Sequence, residues 1–79
     1  MTLEQAKTLK VGDVVRYKNS HTETLEIVTA SWHHPKSKHD IISIRLSTLA
    51  VLLDKRKEYD IGDEGWINIH NVDCFEKIA

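Results

Sequence analysis

Seventy-nine residues suffice for one small domain, 1–79, and leave no room for a second. Eleven basic against twelve acidic residues give a net charge of -1, which argues against a dedicated binder of nucleic-acid backbones. One cysteine, Cys74, excludes an internal disulfide, and ordinary apolar and charged fractions with a single proline exclude a low-complexity chain. A chain of this size buries only roughly 60% of its extended-chain surface, so the core is thin.

Met1 to Lys7 lacks the long apolar run of a signal peptide, and no segment approaches the length needed to cross a membrane. With no disulfide staple, a reducing cytoplasm is the expected home. Thr2 and Gln5 have capping-box spacing, so residues 3–9 are expected as one or two helical turns that lid an open end of the fold; a frayed terminus is the alternative.

Val11-Gly12-Asp13 breaks that pattern and starts a strand. Val15 and Tyr17 then alternate with Val14, Arg16 and Lys18, which places the two sets on opposite faces of the strand. Asn19 to Thr22 reads as a polar turn. Residues 24–33 form a long second strand whose apolar set changes phase, from Leu25 and Ile27 to Val28, Ala30 and Trp32. A straight strand cannot bury both sets; a bent or bulged strand serving two walls can. His33-His34-Pro35-Lys36-Ser37-Lys38-His39 is the most polar connection, and its proline points to a protruding loop. Residues 40–47 follow as a third strand, with Ile42, Ile44 and Leu46 inward and Ser43, Arg45 and Ser47 outward.

Thr48 to Leu53 fits either a strand or a helix capped by Ser47; the strand is preferred because it avoids a long structureless loop. Asp54 to Glu64 is a mixed-charge turn. Trp66 to Ile69 is a strand, His70 to Asp73 suits a 3₁₀ turn, and Phe75 to Ile78 is the final strand. The fold class is therefore mostly β, a small barrel of five to six strands with a short N-terminal helix and a 3₁₀ turn before the last strand.

The tail Gly65-Trp66-Ile67-Asn68-Ile69-His70-Asn71-Val72 resembles the ending of SH3-like barrels, Gly-x-Ile-Pro-x-Asn-Tyr-Val, with Gly65, Ile67 and Val72 at matching positions. Asn68, His70 and Asn71 replace the proline, asparagine and tyrosine that line the polyproline groove in that family. The resemblance thus implies an SH3-like barrel without proline-rich peptide recognition. Leu9 to Tyr17 is also similar to the first strand of KOW- and Tudor-like barrels, which bind RNA, DNA or proteins. In length and style the chain is similar to small bacterial, phage or mobile-element proteins.

No glycine-rich phosphate loop is present. A Cys74 nucleophile with His70 as base would still need an orienting group and an oxyanion site, and no motif supplies them. The carboxylates Asp54, Glu58, Asp60, Asp63 and Glu64, interleaved with Lys55, Arg56 and Lys57, read as a solvated turn. The chain is thus expected to be a non-enzymatic protein-interaction module, an accessory or inhibitory protein without a cofactor. Its expected partner-binding residues are Trp32, His33, His34, Lys36, Lys38, His39, Tyr59 and Trp66, because rigid aromatic rings beside cations make good anchors. Pairing through a strand edge, including self-association, is open. Two alternatives stand beside this reading. One is nucleic-acid binding through Arg16, Lys18, Lys36, Lys38 and Arg45, if these join in one basic face. The other is metal binding through His33, His34 and His39 or through His70 and Cys74, which lack the four converging ligands of a structural zinc site.

Overall fold

The computed structural model describes residues 1–33 and 42–79. Helix α1 (Leu3–Ala6) is followed by β1 (Val14–Lys18), β2 (Thr22–His33), β3 (Ile42–Asp54), β4 (Glu64–Ile67), a 3₁₀ turn (Val72–Cys74) and β5 (Phe75–Lys77). The strands form one antiparallel sheet in the order β4-β3-β2-β1-β5, so the last strand pairs with the first. One face of the sheet buries Val15, Val28, Ile44, Leu46 and Ile67 almost completely, with Ile42 and Phe75 beside them. Those residues come from all five strands, so the sheet curls around its own inner face. Each such side chain stabilises the fold by about 1.5–3 kcal/mol.

The capping box is present: Gln5 N–H donates to Thr2 Oγ1 at 3.2 Å, and Thr2 N–H donates to Gln5 Oε1 at 2.8 Å. It starts a single turn of helix whose last residue, Ala6, enters the core, followed by Leu9. The amine of Met1 donates to the carbonyls of Val72 and Phe75. These contacts hold α1 against the corner formed by the 3₁₀ turn and β5.

Residues 48–53 are strand, as the avoidance of a long loop requires; β3 runs unbroken to Asp54. β2 and β3 pair along nearly their whole length, with register shifts at Glu23/Thr24, Leu25/Glu26 and Val28/Ala30. The last shift leaves Thr29 without a partner, a bulge that lies beyond Val28 rather than before it and separates Val28 from Ala30 and Trp32. The inward set differs from the expected one, however. Thr22, Thr24, Glu26 and Val28 are buried, whereas Leu25 and Ile27 are half-buried on the outer face. Ala30 and Trp32 are exposed beyond the bulge. The outer face is itself apolar here: Ile27 lies opposite Val14 and Leu25 opposite Ala50. Hydrophobicity therefore could not choose the phase. Continuity with Val28, two residues apart along a strand, does.

Two turns with the same construction feed β1 and β4. In Lys10-Val11-Gly12-Asp13, Asp13 N–H donates to Lys10 O at 2.9 Å and Lys10 N–H donates to Asp13 Oδ2 at 2.9 Å. In Asp60-Ile61-Gly62-Asp63, the equivalent bonds are 3.1 and 2.9 Å. The glycines have φ of +96° and +90°, values that an L side chain adopts only with strain. Each turn docks beside a register shift of the β2–β3 pair. Gly12 donates to Val28 O and Val28 to Asp13 O; Gly62 donates to Thr48 O and Thr48 to Asp63 O, all at 2.8–2.9 Å. The second turn thereby pins residues 60–63 against β3.

Candidate functional site

Two surfaces collect the chemistry-bearing side chains, one on each face of the sheet, and β4 belongs to both. On the outer face Trp66 lies opposite Arg45, whose guanidinium carbon stands 4.8 Å from the indole centroid, a cation–π stack. Trp32 lies opposite Ser43, two residues along β3 from Arg45 and on the same face. The two tryptophans are 52% and 46% exposed, so neither belongs to the core. Leu49, Leu52 and Leu53, each more than two-fifths exposed, continue an apolar strip down β3.

The inner face is divided. Its Ile42–Ile44–Ile67 end is hydrocarbon, but beyond Val28 and Leu46 the inward positions become Glu26, Thr24 and Thr22 on β2 and Thr48 on β3. Glu26 is 5% exposed. Thr48 Oγ1 donates to its Oε1 at 3.0 Å, while Oε2 is buried with no hydrogen-bond partner. Burial drives the Glu26 carboxyl above its ordinary value of 4.5; the Thr48 hydroxyl opposes this and Asp63 adds to it. Thr24 Oγ1 lies close enough to favour the charged form, yet makes no hydrogen bond of normal geometry.

This polar end opens into a cleft of about 400 Å³ on an acidic side, bordered by Glu26, Glu58, Asp63 and Glu64, and about 210 Å³ on an aromatic side, bordered by Tyr17, Tyr59 and Phe75. Tyr17 packs at centroid distances of 5.1 Å from Phe75 and 6.4 Å from Tyr59. Tyr59 reaches this position because Asp54 holds the loop. Asp54 Oδ2 accepts from Tyr59 N–H at 2.9 Å, and Oδ1 accepts from Glu58 N–H at 3.2 Å. Desolvation pulls the Asp54 carboxyl upward, but the N–H groups of Tyr59, Glu58, Lys57 and Arg56 outweigh it, and the group titrates below its ordinary 3.8. Burial, followed by the neighbouring Tyr17 and Glu58, pushes the Tyr59 phenol above 10.

Of the residues expected at a partner surface, Trp32 and Trp66 share the outer face, and Tyr59 lines the cleft instead. His33 ends β2; His34, Lys36, Lys38 and His39 lie outside the described residues. Among the described residues, the basic side chains Arg16, Lys18 and Arg45 do not converge. Arg16 and Lys18 lie opposite Leu25 and Glu23, whereas Arg45 lies opposite Ala30. That is five to seven residues along β2, roughly 16–23 Å at the rise of a strand. Lys18 pairs with Glu23 at 3.7 Å. His70 is exposed and Cys74 half-buried, and among the described residues no three His, Cys, Asp or Glu side chains gather as metal ligands.

Asp54–Glu64 is more than the solvated turn expected from its charges. Glu58, Asp60, Asp63 and Glu64 are indeed exposed, but the same segment carries Tyr59 and three of the carboxylates that border the cleft. The signal was Glu26 in register with Val28, since a carboxylate at an inward position is seldom fully buried unless it is paired. Comparison of the chain with family models, curated proteins and solved structures finds no match.

Proposed function

We propose that this chain is a non-enzymatic protein-interaction module of SH3-like type, an accessory or inhibitory protein that docks on a larger partner through the outer face of β2, β3 and β4. One observation carries the reading: Trp32 and Trp66, both about half exposed, stand on one sheet face with Arg45 stacked on Trp66. Large rings held on strands lose little entropy on binding, and tryptophan and arginine are the residue types that dominate interface energetics. The strand order, with β5 on β1 and a 3₁₀ turn leading into β5, supports the SH3-like assignment. β4 is an edge strand. Asn71 Nδ2 already donates to its Trp66 carbonyl at 2.8 Å, which weakens the case for open-ended strand pairing there and favours side-chain docking.

Trp66→Ala tests the reading. The variant should keep the melting temperature of the parent within a few degrees and lose about tenfold or more in affinity for the protein captured from the native host. Capture of the same protein with unchanged affinity, or loss of the folded state, contradicts it.

A further inference from the structure

The inner cleft has the composition of a cation site. Its buried carboxylate, Glu26, has one oxygen committed to Thr48 and the other without a partner. A buried acceptor left unsatisfied is costly, more so when charged, and that cost is recovered when a donor arrives. Three further carboxylates, Glu58, Asp63 and Glu64, surround the mouth, and no Lys or Arg lines the cleft among the described residues. Tyr17, Tyr59 and Phe75 supply aromatic faces, which attract cations through their ring quadrupoles.

We propose that this cleft binds a basic side chain of a partner polypeptide, an ammonium or guanidinium group that retains at least one N–H, with the Glu26 carboxylate accepting the hydrogen bond. The polypeptide source rests on the interaction-module reading; the cation site does not. The requirement for an N–H follows from the floor of the cleft. A quaternary ammonium satisfies aromatic faces but offers no donor to a carboxylate oxygen, whereas a lysine ammonium or an arginine guanidinium offers several. Access runs past β4. Gly65 faces the cleft and contributes no side chain; a methyl there would lie 3.9 Å from Glu26 Oε1, an ordinary contact, and a larger group would enter the cleft. Trp66, the next residue, faces the other way, so a segment crossing the β4 edge touches both surfaces.

The full chain, ¹⁵N-labelled, is titrated with N-acetyl-lysine methylamide, its norleucine counterpart of similar length without charge, and its trimethyl-lysine counterpart. Saturable shifts at Tyr17, Glu26, Tyr59 and Gly65 are expected, with lysine binding about tenfold tighter than norleucine and tighter than trimethyl-lysine. Glu26→Gln should fold and lose about tenfold in affinity for the lysine probe, and Gly65→Val should weaken binding without a change of charge. Equal binding of norleucine, tighter binding of trimethyl-lysine, or an unchanged affinity in Glu26→Gln overturns the cation site. A seven-residue peptide carrying one lysine should bind more tightly than the capped amino acid. If it does not, the polypeptide source is wrong and the cation site stands alone, a result distinct from the Trp66 outcome.

Discussion

The two ends of the inner sheet face differ in what they bury. One end packs Ile42, Ile44, Ile67 and Val28 against Ala6 and Leu9. The other buries Thr22, Thr24, Glu26 and Thr48 and leaves at least two of their oxygens without hydrogen bonds. A domain of this size has little stability to spare, and an all-hydrocarbon interior would be the more stable solution. The chain instead keeps an unsatisfied polar end beside an open cleft. The apolar end holds the fold together; the polar end carries the cation site proposed above.

The sharpest way to break this contrast is at the apolar end. Ile44→Ala removes a side chain that is 1% exposed and should cost about 2–5 kcal/mol, enough to leave much of the protein unfolded in a urea titration. A cost under 1 kcal/mol would mean that this end is not the structural core.

The opposite sign is expected at the polar end. The carboxyl of Glu26 is raised above 4.5 in the folded chain, so the native state holds its proton more tightly than the unfolded state. Stability is therefore undiminished below 4.5, falls as pH rises from there through the native value, and stays reduced above it. Glu26→Gln should abolish that fall and stabilise the protein at pH 7 by about 1 kcal/mol, roughly 4–8 °C in melting temperature for a domain this size, with no gain at pH 4. A variant less stable than the parent at pH 7 would show that the carboxylate is well satisfied.

Asp54 should have the smallest effect, and its pH window lies on the other side. Its carboxyl titrates below 3.8, so its contribution is present above that value and is lost as pH falls through the native one. Asp54→Ala should lower stability modestly at pH 7, with the difference from the parent vanishing in acid. It should also weaken the nuclear Overhauser contacts between the Tyr17 and Tyr59 rings. Unchanged ring contacts would mean that Tyr59 is placed without the Asp54 cap.

Much of the scaffold was legible in the sequence because it depends on local rules. The Thr2–Gln5 box, the alternation of Val15 and Tyr17 with Arg16, and Ile42, Ile44 and Leu46 each specify their own element. A bulge in β2 was legible as a phase change, but not its place, because Leu25 and Ile27 find apolar neighbours on the outer face. The kinship of Val11-Gly12-Asp13 with Ile61-Gly62-Asp63 emerges only from their shared hydrogen bonds, since the flanking residues differ. The cleft was least legible. It joins Tyr17, Glu26, Tyr59, Gly65 and Phe75 from four strands and a loop, and only the register of β2 turns Glu26 inward to meet them.

A carboxyl ¹³C titration of Glu26, in the free protein and with saturating N-acetyl-lysine methylamide, tests the central claim most directly. The free protein should titrate above 4.5, and the bound cation should bring the midpoint down. A free midpoint at or below 4.5, or one that the ligand leaves in place, would contradict the account.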